Sequence, residues 1–273
     1  MRALNLQMEH ALRFYIGDSS WWQGEETEAA FWQDKKAYLT LNSLFYKGIS
    51  NEQARARERK FLNPVFLEDT ERLLNVCENL INAMWKGNES ESIQHAYRIE
   101  RMSGLEDMKL AEQTISPTST SKNGFLAEYR DKKGLALLEF IIEPGVPCVD
   151  ICKVLPSYSK REEAEILLAP WLPLEFHQRP LNSEEQMIRD YDGQPPVMAC
   201  RIMAKKPVGI EYKEPQEMKR SGIDAGKRIF KALSEQKIPN QKDVNEYSLW
   251  KEAFQEQLKA RCCVQLESFL QQQ

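Results

Sequence analysis

Apolar residues recur every three to four positions near both ends of the chain and bunch into short runs in its middle. Leu4, Met8, Ala11, Leu12 and Tyr15 fall at helical spacing, and so do Leu73, Leu74, Cys77, Leu80, Ile81 and Met84, with Gly87 placed as a stop. Between them, Tyr38, Leu41, Asn42, Leu44 and Phe45 predict a further helix ending near Gly48. The polar stretch from Asn51 to Lys60, rich in Arg and Glu, reads as a solvated face. After Gly87 the texture changes. Candidate strands lie at 93–99, 135–143, 147–152, 165–169 and 172–177, and 197–212 adds one or two more. The breaks fall at Gly124, Gly134, Pro144-Gly145 and Pro156, where turn chemistry expects them. From about 214 the pattern is helical again, with Trp250, Phe254, Leu258, Cys262, Leu266 and Phe269 or Leu270 marking an amphipathic helix that packs on the body rather than recruits a partner. Helices, a strand-rich block and then helices predict an α+β fold. The expected division is a helical N-terminal lobe at 1–92, a core at 93–213 and a helical C-terminal extension at 214–273.

Composition narrows the class. Of 273 residues, 42% are hydrophobic and 29% charged, which suits a folded globular chain and not wholesale disorder. A net charge of −4 argues against a generic electrostatic grip on nucleic acid. The first twenty residues alternate polar and apolar and lack the apolar core of a signal peptide. The richest apolar stretches, 135–142 and 166–174, are too short to span a bilayer, so the expectation is a soluble chain with no membrane partner. Six cysteines contain no Cys-x-x-Cys pair and are expected to be reduced and mostly buried.

Several chemistries fail on inspection. No Gly-x-Gly pair exists, so a dinucleotide loop of the Rossmann kind is absent. The stretch from Gly222 to Arg228 imitates a phosphate loop but is one residue short, with Arg where Ser or Thr must reach the metal; it reads as helical surface. His10, His95 and His177 are far apart and form no zinc-binding pair, so no metal is expected. No Gly-x-Ser-x-Gly nucleophile elbow occurs either.

Three features remain, in order, within the strand-rich block. Ala96-Tyr97-Arg98 ends a predicted strand; Ser119-Thr120-Ser121 follows, then Asn123-Gly124-Phe125; and Glu163-Ala164-Glu165 runs directly into Ile166-Leu167-Leu168. Each alone has an ordinary reading as surface pair, loop or charge run. Their order and spacing, 21 residues from Arg98 to Ser119 and 46 from Ser119 to Glu165, mark them out as a set.

With these pieces the sequence resembles the Arg-Ser-Glu class of mono-ADP-ribosyltransferases, which contains arginine-modifying bacterial toxins and C3-like exoenzymes. Leu138 to Asp150 is similar to that family's apolar strand, Pro-Gly turn and second strand, and Tyr38 to Leu44 to the helix before its catalytic core. The clear likeness covers roughly 93–177. Departures are Ile99, where a small residue often follows the catalytic arginine, and Leu44-Phe45 in place of Leu-Arg; Arg101 rivals Arg98 for the arginine role.

The resemblance implies a split β-sandwich core and NAD as substrate, cleaved at the nicotinamide–ribose bond, with ADP-ribose passed to a macromolecular acceptor, expected to be a protein. It also implies an effector or toxin, cytoplasmic or delivered. Glu165 would stabilise the positive charge that grows on the ribose as the bond breaks. Arg98 would grip the pyrophosphate or a ribose hydroxyl, and Ser119, with Thr120 and Ser121, would orient the ribose and hold Glu165. Glu163 would activate the acceptor. Phe125 stands either against the nicotinamide or in the core, and Tyr158 either touches the target or packs. An NAD glycohydrolase of the same fold and a catalytically inactive interaction module are the alternatives.

Overall fold

The computed structural model describes residues 4–45, 63–87, 92–101, 116–119, 135–157, 164–183, 185 and 198–270. The solvated stretch expected at 51–60 lies outside them. The chain divides into two compact units, one of residues 1–4 and 84–208 and the other of 5–83 and 209–273.

The second unit is helical. It contains α1 (Leu6–Tyr15), α2 (Glu26–Trp32), α3 (Ala37–Phe45), α4 (Val65–Glu68), most of α5 (Thr70–Gly87), α7 (Arg220–Ser234) and α8 (Gln241–Leu270). Helix α1 starts where Asn5 accepts a hydrogen bond from the Met8 amide at 2.8 Å, which satisfies one of the first-turn donors. It buries Met8, Ala11, Leu12 and Tyr15, the positions its spacing marks, together with Phe14. Trp250, Phe254, Leu258 and Cys262 of α8 are likewise buried. The polar side of α8 is put to use as well: Gln255 Nε2 donates to the Leu44 carbonyl at 2.7 Å, and Lys251 Nζ lies 3.5 Å from the Ser43 carbonyl. These carbonyls belong to the last described turn of α3.

The stretch at 222–228 is helical, with the Asp224 and Arg228 side chains half-exposed on its outer side and its other face buried. Gly222 and Gly226 are both buried in α7, and a Cβ built on Gly222 would stand 2.3 Å from the Trp250 Cβ. On Gly226 it would meet Leu67 at 2.8 Å and the Tyr247 ring at 3.0 Å. The glycines are there because α7 lies hard against its neighbours. A local pattern cannot reveal that.

The first unit is built on a mixed seven-stranded sheet, which with the helices makes the fold α+β. Its strands are β1 (Gln94–Arg101), β2 (Ser116–Ser119), β3 (Leu135–Ile142), β4 (Cys148–Asp150), β5 (Glu165–Leu168), β6 (Leu174–Arg179) and β7 (Met198–Ala204), ordered β4-β5-β2-β1-β3-β7-β6. Among the described strands only β3 and β7 pair in parallel. The apolar run of β3 lies between β1 and β7 and buries Ala136, Leu137, Leu138, Phe140 and Ile142. Gly145, at φ +79°, turns the chain out of β3 towards β4, a conformation that suits glycine. The strand expected over 147–152 stops at Asp150, whose side chain accepts from the Lys153 amide and caps the short helix α6 (Ile151–Val154). The segment 116–119, which carries no alternating apolar signal, is nevertheless a strand because β1 and β5 pair with it on either side.

Candidate functional site

The strand registers assemble a line of polar residues across the sheet. His177 pairs with Arg201, Arg201 with Glu139, Glu139 with Tyr97, Tyr97 with Ser119, and Ser119 with Glu165. Six strands each contribute one polar residue to one row. Neighbouring members of such a row stand about 5 Å apart. Residues 119 and 165, separated by 46 positions in the chain, are thereby direct neighbours.

Glu165 is half-buried at the first position of β5 and is followed by Ile166, Leu167 and Leu168, all buried, which anchor the strand beneath it. Ala164, immediately before it, has φ +43°. A left-handed backbone costs an alanine roughly 1 kcal/mol. Strain of this kind persists only where the surroundings impose it, and it concentrates at functional sites. Strand alternation therefore begins at Glu165 and does not extend back through Ala164.

Arg98 is half-buried in β1, one residue along from Tyr97, and pairs with Leu138 of β3. Alternation places it on the opposite face of β1 from Tyr97, the face shared with Ala96, Leu138 and Phe140. The register thus brings Ser119 and Glu165 into one row with Tyr97, while Arg98 adjoins that row and does not belong to it. Arg101 ends β1, opposite Leu135. Thr120, Ser121, Phe125, Tyr158 and Glu163 lie outside the described residues.

The other end of the row holds an ionic network that the sequence did not suggest. Glu139, 13% exposed, accepts from Arg179 Nε at 3.0 Å and Arg201 Nε at 3.2 Å, with His95 Nδ1 3.9 Å away. Arg179 also makes a two-pronged contact with the fully buried Glu185 at 2.8 Å, and this carboxylate raises the arginine above its ordinary pKa. A carboxylate at the centre of an apolar strand is tolerable only when answered in this way. The sequence clue was Glu139 itself, a lone charge inside Leu135–Ile142. Its partners come from β6, β7 and beyond, so spacing could not name them.

All six cysteines are free thiols, four of them buried, and burial with the nearby Asp150 pushes Cys148 up to about 12. Among the described residues, no cluster of His, Cys, Asp and Glu is placed to hold a metal ion, and no helix is long and apolar enough to cross a membrane.

No protein-family model matches the chain, and no curated protein matches it. Among solved structures it is similar to an ADP-ribosyltransferase from Clostridium botulinum, at 10% identity and a TM-score of 0.41, covering 74% of this chain and 87% of that one. It is also similar to the catalytic domain of VahC from Aeromonas hydrophila, at 14% identity and a TM-score of 0.39, over 73% of this chain and 98% of that one. Vis toxin, an ADP-ribosyltransferase from Vibrio splendidus, matches at 14% identity and a TM-score of 0.37, over 74% and 83%. Identities this low, with TM-scores under one half, leave the chemistry of this chain to its own residues.

Proposed function

We propose that this protein is a mono-ADP-ribosyltransferase of effector or toxin type that takes NAD as its substrate, cleaves the nicotinamide–ribose bond and transfers ADP-ribose to a protein side chain. One observation carries the reading. Ser119 and Glu165, singled out by motif and spacing alone, are neighbouring partners in the β2–β5 ladder.

The chemistry follows from the groups. As the bond from the ribose anomeric carbon to nicotinamide breaks, its electron pair leaves with nicotinamide and positive charge builds on the sugar. The Glu165 carboxylate stabilises that charge from a strand end that costs nothing to reorganise during the reaction. The Ser119 hydroxyl orients the ribose. Arg98 is assigned the permanently charged fork for the pyrophosphate or a ribose hydroxyl by the motif alone, since the register sets it on the face of β1 opposite the row. Glu163 takes the proton that the acceptor nucleophile loses as it bonds to the anomeric carbon. Ala164, between the two glutamates, carries the strained backbone expected at such a site.

The test is incubation of the full chain with NAD labelled in its adenylate half, in a cell lysate, with nicotinamide and label followed separately. Nicotinamide release with label on a macromolecule, both abolished by Glu165→Ala, is the expected result. Release of free ADP-ribose without transfer would make the protein a glycohydrolase. No release by the wild-type chain would overturn the proposal.

A further inference from the structure

Ser119 and Glu165 do not share their face of the sheet with Arg98. The row through Arg98 continues into Leu138 and Cys200, neither of which has exposed surface. Alternation along β6 and β7 puts two other guanidiniums, Arg179 and Arg201, on the face of the polar row. Arg101, at the end of β1, stands four residues or about 13 Å along the strand from Tyr97.

Arg179 has no donor to spare. It is 16% exposed, its Nε donates to Glu139, and both Nη groups are held by Glu185. Arg201 differs. It is 48% exposed, and its Nε donates to Glu139 at 3.2 Å, with no other hydrogen bond or ion pair among the described residues. Glu139 divides its charge between the two guanidiniums, and Glu185 is buried against Arg179. A guanidinium fixed through Nε with two unused Nη groups is a pre-set fork, the geometry that takes two oxygens of a phosphate.

The spacing suits the substrate. Arg201 is three ladder steps from Ser119, about 14 Å between backbones. Its bond to Glu139 holds the guanidinium on the Ser119 side of β7, which leaves about 10 Å to span. A ribose anchored at Ser119 and Glu165 carries its phosphates on the side of the sugar away from the breaking bond, and a ribose with its diphosphate fills that gap. Beyond Arg201 the row ends at the exposed His177.

We propose that Arg201, rather than Arg98, takes the diphosphate of NAD, with the adenosine half continuing along the row towards His177. The assignment rests on the reading of Ser119 and Glu165 as the ribose end of the site.

ADP-ribose, which keeps the diphosphate and lacks nicotinamide, is the probe. The full chain is treated with phenylglyoxal, an arginine-selective reagent, with and without excess ADP-ribose, and the modified peptides are identified by mass spectrometry. Arg201 is expected to be modified in the free chain and protected at least about fivefold by ADP-ribose, while adenosine gives no protection. In calorimetric titration, Arg201→Gln should weaken ADP-ribose at least about tenfold, and Arg201→Lys, which keeps the charge but loses the fork, about threefold. In nicotinamide release, the larger part of the Arg201→Gln loss should fall on KM for NAD. Unchanged modification of Arg201 under ADP-ribose, or wild-type affinity in Arg201→Gln, would overturn the assignment, and nicotinamide release by the wild-type chain would then leave the proposed activity standing. A wild-type chain that releases no nicotinamide would overturn the activity and this assignment with it. The protection comparison needs no variant, so it decides even if a substitution disturbs the network around Glu139.

Discussion

The two units handle polar groups in opposite ways. In the sheet unit, strand pairing draws Glu165, Ser119, Tyr97, Glu139, Arg201 and His177 from across the chain into one row. The one strongly buried charge in that row, Glu139, is answered by Arg201 of the adjacent β7 and Arg179 of β6 beyond it. In the helical unit the centre is aromatic, with Tyr15, Phe14, Phe45, Phe66, Tyr247, Trp250 and Phe254 all buried, and its polar groups cap helix ends or ring a pocket. A ladder tolerates charge within the body because each strand can bring a partner. The helical unit answers its buried charges within or at the ends of helices, Lys259 by Glu256 one turn away and Lys251 at the Ser43 carbonyl, and where α7 meets Trp250 even a methyl group is too large.

The largest expected effect falls at the end of the row. Glu165→Gln should slow nicotinamide release about 1,000-fold, and Ser119→Ala, removing one hydroxyl contact, only about tenfold. Equal losses, measured as initial rates at saturating NAD, would break the claim that the row is functionally graded. In the helical unit, Gly222→Ala should destabilise the protein by about 3 kcal/mol in urea unfolding, since its new Cβ meets the Trp250 Cβ and not a flexible side-chain tip. A neutral outcome would show that the helices can part without cost.

Glu185→Gln tests the answered charge. It leaves Arg179 and Arg201 sharing Glu139 alone, and about 2 kcal/mol should be lost in the same measurement. Ala164→Gly should gain about 1 kcal/mol by relieving the positive φ, and should lower catalysis if that strain holds Glu165 in place. The smallest effect lies at the end of α1. Burial alone would raise Asp18, but hydrogen bonds from Ser20 and the Arg13 guanidinium together outweigh it and hold the carboxyl below the usual aspartate range. A depressed carboxylate stabilises the fold above its unfolded pKa, and that contribution is lost as pH falls through the folded value. Asp18→Asn should therefore flatten the acid limb of the stability curve, costing less than about 1 kcal/mol at neutral pH and nothing in strong acid.

Much of the secondary structure was legible because it is local. The spacing of Met8, Ala11, Leu12 and Tyr15 reports one helix face, and the apolar run at 135–142, broken only by Glu139, reports a strand in the body of the sheet. The strand at 116–119 was not legible. Ser-Pro-Thr-Ser has no alternation, and it is extended because β1 and β5 accept it as a partner. The end of β4 was missed for the opposite reason: Asp150 closes the strand with a cap that an apolar run running on to Cys152 conceals.

The candidate site divides along the same line. The order and spacing of these pieces, through their resemblance to the Arg-Ser-Glu class, were enough to nominate Arg98, Ser119 and Glu165. Adjacency was another matter. That Ser119 stands beside Glu165, that Arg98 faces the other side of its strand from Tyr97, that Glu139 gathers Arg179 and Arg201, and that helices from both ends of the chain join in one unit are products of register and packing. Periodicity in a sequence encodes which side of an element is buried. Which element lies against it is decided by contacts among residues far apart in the chain, and no local pattern contains them.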